Sequence, residues 1–292
     1  MRSSIAPALS QNLKSAGFPV VCIDARHAHG TLKAQRLKTD RNDARGLAQI
    51  ARTGWYKQVH VKSDQSQALR ILVFGRKQLV KMRLDIENHI RGVLKTFGIK
   101  IVAGCGKAFS SEVEKSVMQT PSLVEETITG LLVAHKGVLS QEENLDRKCK
   151  KIAKEDHVCQ RLMTVPGVGA QTALTFRSEV DDPSRFKKSR ELGVYVGLTP
   201  RKYSSGQVDR QGGISKCGSH AMRNLLFEAA VTLLTRTRKW SKLKAWGVRL
   251  AKRASFKTAA TAVARKLAVL MHRMWVDDTN FVYGSAPVGQ LA

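Results

Sequence analysis

Between Asp64 and Phe97 there is no proline, and Leu69, Leu72, Leu79, Ile86, Ile90, Val93 and Phe97 fall on steps of three and four or their sum. That spacing predicts one long helix with a heptad seam, a coiled-coil region. Arg76 and Arg83 interrupt the seam, which implies loose pairing there or side chains that snorkel out of it. A second helix with the same period is predicted from Ser122 to about Asp156, carrying Ile128, Leu131, His135, Val138, Leu145, Cys149 and Ile152. The two helices can fold back on each other or pair with a second chain, because a seam records that a partner exists and not whose it is.

The flanking segments have other periods. Residues 4–17 suit a helix, residues 18–23 (FPVVCI) a short β-rich run, and residues 40–51 a further helix, which suggests part of an α/β unit. After His157, LMTVPGVGAQTALTF reads as helix, glycine-rich turn and helix. A loop-rich stretch then runs to Gly218, and two helices begin near Ser219 and Trp240.

Charge changes the picture most. The 292 residues hold 50 Lys+Arg against 23 Asp+Glu, a formal charge of +27. Such a chain attracts polyanions, and counterion release from phosphates makes nucleic acid the first partner to consider; a structural RNA binder and a peripheral membrane protein are the alternatives. Between Arg210 and Trp275 there are 15 Lys/Arg and one acid, Glu228, so that region is the best phosphate-facing surface. No apolar run reaches the length of a membrane span and the start lacks a signal-peptide core, so a cytoplasmic protein with no membrane partner is expected. Cys22, Cys105, Cys149, Cys159 and Cys217 show no zinc spacing and read as reduced thiols.

Against this background LKTDRNDARGLAQIAR, residues 37–52, stands out for its acids. On a helix Asp40 and Asp43 share a face with Ala44, Leu47, Ala48 and Ala51. One reading is a helix start with Asp40 as N-cap. The other is a Mg²⁺ site, since acids one turn apart converge on a hard cation and the ion suits a phosphodiester. Asp24, at the end of the predicted strand, is a further contributor to such a site or an ordinary turn aspartate.

Two other stretches carry candidate chemistry. In VPGVG, Gly167 and Gly169 let the backbone approach a phosphate as in a helix-hairpin-helix turn, although a tight turn between helices has the same look. In GLTPRKYSSGQVDRQGGISKCGSHAMRNLL, Ser204 and Ser205 precede Gly206 on a loop, with Arg201, Lys202, Arg210, Lys216 and Arg223 nearby. Most such loops are only turns. A serine among cations can nevertheless attack phosphorus, because they stabilise charge developing on the phosphoryl oxygens. His220 and Asp209 do not compel a hydrolase reading.

Taken in order, KTDRNDARGLAQIARTG, the seam, MTVPGVGAQTAL, DDPSRFKKSRELGVYVGLTPRKYSSGQ and GGISKCGSHAMRNLLFEAA strongly resemble transposases of the insertion-sequence 110 family, related to the Piv DNA invertase. The resemblance spans nearly the whole chain. It implies a RuvC-like (RNase H-like) α/β nuclease domain over residues 1–60, a coiled-coil region over 61–156 and a mainly α transposase domain over 157–292. It also implies a DNA recombinase with Mg²⁺ on its acids, a covalent serine–DNA intermediate and a structured guide RNA; the seams add the expectation of a homo-oligomer joined through the coiled coil. By motif position Asp40 and Asp43 match the last two acids of an Asp, Glu, Asp, Asp set, and Ser205 matches the nucleophile. The first two acids would precede Met1, so a shortened transposase holding half the metal site is expected. A catalytically inactive remnant that only binds nucleic acid is the alternative.

Overall fold

The computed structural model describes residues 6–34, 37–102, 104–206 and 208–283. It divides into two compact units, Met1–Asp64 and Gln65–Ala292. Both are mainly helical, and the described residues contain a single two-stranded sheet.

The first unit holds α1 (Ala6–Ser15), α2 (Ala25–Leu32) and α3 (Asp40–Thr53). Residues 4 and 5 of the expected first helix lie outside the described residues. The β-rich run at 18–23 is not a regular strand. It makes one antiparallel bridge, Ile23 with Gln58, flanked by Val59 N–H to Cys22 O at 2.8 Å and Asp24 N–H to Lys57 O at 2.8 Å. The reason is the partner: the bridge stands outside any named strand, and no neighbour extends it into a sheet among the described residues. Burial here is sparse. Ala28 and Ile50 are buried, whereas Leu9, Phe18, Val21, Leu37, Leu47 and Trp55 stay exposed.

The second unit starts with α4 (Asp64–Thr96), followed by α5 (Lys107–Val117) and α6 (Ser122–Glu155). The two predicted seams meet each other within the chain. Arg76 Nε lies 3.4 Å from Asp146 and Arg83 Nε 2.7 Å from Glu142, an antiparallel order. The arginines that interrupt the seam therefore neither loosen it nor snorkel out; they are ion-paired across it. Toward one end Ile90, Leu94, Phe109, Val113, Ile128 and Leu132 form an apolar cluster with α5. Phe97 departs from the pattern, being 45% exposed just past the end of α4.

At the other end Leu69, Val73, Cys149 and Ala153 join a larger core built from the later helices. These are α7 (His157–Met163), α8 (Ala170–Val180), α9 (Glu191–Tyr195), α10 (His220–Thr235), α11 (Lys242–Arg253) and α12 (Phe256–Val276). Leu174, Phe176, Leu192, Met222, Leu226, Leu233 and Leu267 are fully buried in it. The helix starts follow from their caps: Ser219, Ser241 and Ser255 each accept from the backbone N–H three residues on. α12 is a third helix where the sequence pattern suggested two, because Ser255 restarts the chain in the middle of the basic stretch. Between α9 and α10 the expected loop is instead an antiparallel hairpin, β1 (Pro200–Ser205) and β2 (Val208–Ile214). All five cysteines are free, and no helix among the described residues is long and apolar enough to cross a membrane.

Candidate functional site

The acids of the first unit sit at the start of α3. Thr39, not Asp40, is the N-cap: its Oγ1 accepts from Asn42 N–H at 3.2 Å. Asp40 is therefore the first helical residue and Asp43 lies one turn in, both in the first turn, where the helix dipole favours a negative charge. Asp40 is exposed and Asp43 half-buried. One oxygen of Asp43, Oδ1, is screened from solvent and has no hydrogen-bond partner. A buried carboxylate oxygen left this way suits a cation, and Mg²⁺ is commonly held by one or two carboxylates with water and phosphate oxygens completing its shell. Asp43 thus offers an oxygen that suits a cation, with Asp40 exposed three residues before it on the same helix. No group of three or more His, Cys, Asp or Glu suited to a metal occurs among the described residues.

Asp24 does not join them as a ligand. It caps α2 and holds Arg26 twice, at 2.8 Å from Nη2 and 3.2 Å from Nε. The Arg26 side chain keeps its carboxyl down at about 2. Asp24 is thus an ordinary turn aspartate whose two carboxylate oxygens are both held by Arg26.

In the second unit the VPGVG turn joins α7 to α8. Gly167 adopts φ +88°, and a Cβ there would come within 2.4 Å of Ala229 O on α10. Its lack of a side chain serves close packing against α10. Gly169 caps α8, is exposed and has open space where a Cβ would be. Gly169 is the more exposed of the two glycines, Gly167 being half-buried.

Ser205 ends β1, opposite Val208, and Gly206 at φ +54° opens the tight turn. The serines expected on a loop therefore stand on a strand, and strand alternation separates them. Ser205 shares its face with Tyr203 and with the cross-strand partner of Tyr203, Arg210. Gly212 brings Arg201 to the same face, since a Cβ built on it would lie 3.7 Å from the Tyr203 ring and 3.8 Å from Arg201 Cβ. Ser204 lies on the opposite face, paired with Asp209, whose carboxylate is 3.2 Å from Lys202 Nζ. Ser205 thus shares a strand face with Arg201 and Arg210, and Ser204 lies on the face of the Lys202–Asp209 pair. Tyr203 and the two-faced sorting were not read from the sequence; Ser-Gly between alternating residues is a hairpin signal that carries both.

Lys216 is exposed with φ +55° just beyond the hairpin. Arg223 is different. It is 9% exposed, and Nη1 donates to Val196 O at 3.1 Å and Cys217 O at 2.5 Å. Its guanidinium faces carbonyls inside the domain, so the sequence-based assignment of Arg223 to the phosphate-facing surface is corrected by its burial. His220 is exposed at the first position of α10 and is not drawn into any serine–histidine pair with Ser205 among the described residues.

Helical and basic, with a serine hairpin beyond an acidic helix start, the chain falls among the transposases of insertion sequences by its likeness to known sequences. Residues 159–245 match the family model described as Transposase IS116/IS110/IS902 family, and residues 1–99 match a second model described as Transposase. The transposase for insertion sequence element IS1111A of Coxiella burnetii is 33% identical over 278 residues, covering 92% of this chain and 74% of that protein. A probable family 20 transposase of Pseudomonas aeruginosa is 30% identical over 278 residues, covering 93% and 81%. The pilin gene-inverting protein of Moraxella bovis is 24% identical over 208 residues, covering 70% and 56%. The chain belongs to the IS110 family of insertion-sequence transposases.

Proposed function

We propose that the chain joins DNA strands through Ser205. Ser205 Oγ attacks a phosphodiester, forming a serine–DNA bond and releasing a sugar hydroxyl. Arg201 and Arg210 stabilise the charge that grows on the phosphoryl oxygens. The observation that carries this reading is the sorting of the hairpin, which puts Ser205 on the arginine face and Ser204 opposite Asp209.

Asp40 and Asp43 would hold Mg²⁺, a role supported by the unpartnered Oδ1 of Asp43. When bound, the ion supplies Lewis-acid stabilisation of a phosphate. Residues 1–60 form a RuvC-like unit, and the α7–α8 turn serves as a helix-hairpin-helix contact through Gly169. Lys202, Lys216 and the basic helices α11 and α12 bind DNA and a structured guide RNA. The relatives named above as transposases and as a pilin gene-inverting protein support this reading.

The test is a denaturant-resistant protein–DNA adduct, formed with the element's end sequences and Mg²⁺ and resolved on a denaturing gel. Ser205→Ala should abolish the adduct, Ser204→Ala should leave it, and Asp43→Asn should lower it while DNA binding persists. An adduct that survives Ser205→Ala overturns the assignment. A second reading, a chain that binds nucleic acid without cutting it, is favoured by the acids standing as a pair, with no third ligand grouped with them among the described residues. Full DNA binding with no adduct in any of these variants would support it.

A further inference from the structure

The serine hairpin is exposed along nearly its whole length, so its aim relative to the domain is set where its two legs leave the core. There the backbones press directly together. A Cβ on Gly197 would lie 2.2 Å from Cys217 O, and one on Gly218 would lie 2.1 Å from Tyr195 O. Ser215 N–H donates to Thr199 O at 2.8 Å and Lys216 N–H to Gly197 O at 3.1 Å. Arg223 reaches this junction from the first turn of α10. A single nitrogen, Nη1, donates to Val196 O on the leg entering β1 and to Cys217 O on the leg leaving β2.

The choice of residue is informative. Burial disfavours the guanidinium charge and lowers its pKa, and no carboxylate pairs with it among the described residues. An unpaired buried cation is unfavourable, and an apolar side chain of the same length would fill the space without that penalty. What the apolar side chain lacks is donors for two carbonyls at once.

We propose that Arg223 is a positioning residue for strand joining: it clamps both legs of the hairpin and so fixes where Ser205 is presented. The proposal rests on the reading of Ser205 as nucleophile. Ser205 stands five residues along β1 from Pro200, roughly 17 Å at strand rise, so a tilt of about 10° at the base displaces it by about 3 Å. A displacement of that size is enough to abolish in-line alignment with a phosphodiester. Arg223 touches no substrate in this role and acts only through the backbone of the legs.

The full-length chain is compared with Arg223→Met, Arg223→Lys and Ser205→Ala in three measurements: amide hydrogen exchange, DNA affinity, and the rate of serine–DNA adduct formation at saturating DNA. In Arg223→Met the amides of Ser215 and Lys216 should exchange about tenfold faster, the loss expected for one charge-assisted hydrogen bond. The amides of Leu267 and Met271 in α12 should be unchanged, DNA affinity should stay within about twofold, and the adduct rate should fall about a hundredfold. Arg223→Lys, with a donor that can reach one carbonyl, should recover part of both the protection and the rate. Unchanged leg amides overturn the clamp. A rise in exchange shared equally by α12 also overturns it, since that marks a general loss of stability, and so does an unaltered adduct rate with loosened legs. Failure of the underlying reading looks different: the adduct persists in Ser205→Ala, or no variant forms it, and the exchange of the leg amides then decides the clamp alone.

Discussion

Glu87 of α4 and His135 of α6, neither exposed to solvent at all, share a 3.0 Å hydrogen bond in the middle of the helical hairpin. Around it Arg83 reaches Glu87 at 3.0 Å and Glu142 at 2.7 Å, Gly106 N–H donates to Glu87 at 2.9 Å, and Ser110 Oγ meets the other nitrogen of His135 at 3.0 Å. Burial pushes the Glu87 carboxyl up, but the donors from Gly106, His135 and Arg83 together hold it below the usual range. The network separates the two apolar clusters and ties α4, α5 and α6 in one register.

Removing its centre should therefore be severe. Glu87→Ala leaves His135 buried without its carboxylate and Arg83 with Glu142 as its remaining partner, which is expected to destabilise the second unit by about 3–5 kcal/mol. Glu87→Gln, which keeps the shape and one acceptor, should lose less. Urea unfolding of both variants beside the parent checks the order; equal losses would mean that packing alone sets the hairpin.

Acid should weaken the fold in two stages. Burial lowers the pKa of His272 below its ordinary 6.5, where its ring accepts from Ser189 Oγ and donates to Pro183 O, each at 3.0 Å. The unfolded chain then takes up a proton near 6.5 that the folded chain refuses, so this contribution is complete above that pH and declines as pH falls through it. Glu87, with its pKa held below the ordinary 4.5, adds a second decline beginning there. Melting temperatures measured from about pH 7 to pH 4 should show the first decline in the parent chain and not in His272→Gln.

Nucleic-acid affinity should drop steeply with salt, because several phosphates are neutralised along α11, α12 and the hairpin. Lys216→Ala should weaken binding about equally for all sequences and reduce the salt slope by about one. Ser205→Ala should leave affinity unchanged, since a nucleophile contributes to chemistry rather than to ground-state binding. Filter binding across a salt series decides this, and an affinity indifferent to salt would sink the phosphate-facing assignment.

Self-association, if it uses α4, must use the face that the hairpin leaves open. Ile86 packs into the cluster around Ile90 and Phe109, whereas Ile71 is 73% and Met82 42% exposed. Charging Ile71 and Met82 together, I71E with M82E, should lower the mass in solution while the monomer keeps its helicity. An unchanged mass measured by light scattering would show that α4 serves only the chain's own hairpin.

What the sequence determined by itself was whatever depends on neighbours along the chain. Heptad steps marked α4 and α6, and Leu69, Ile90, Ile128 and Cys149 are buried as their period requires. The turn at Gly167–Gly169 between two helices, the basic run after Arg210 and the order of the motifs that define the family were equally local. Tertiary structure decided the questions of partnership. Arg76 and Arg83 read as flaws in a seam until Asp146 and Glu142 came opposite them. Arg223 counted as one more surface cation until the fold enclosed it against the Val196 and Cys217 carbonyls. The run FPVVCI has strand composition but makes only a bridge, because a strand is completed by its neighbours and not by its own residues. Likewise Ser204 and Ser205 are adjacent in sequence and chemically alike, and they differ because pairing with β2 puts Ser204 opposite Asp209 and Ser205 on the other face, which it shares with Arg210.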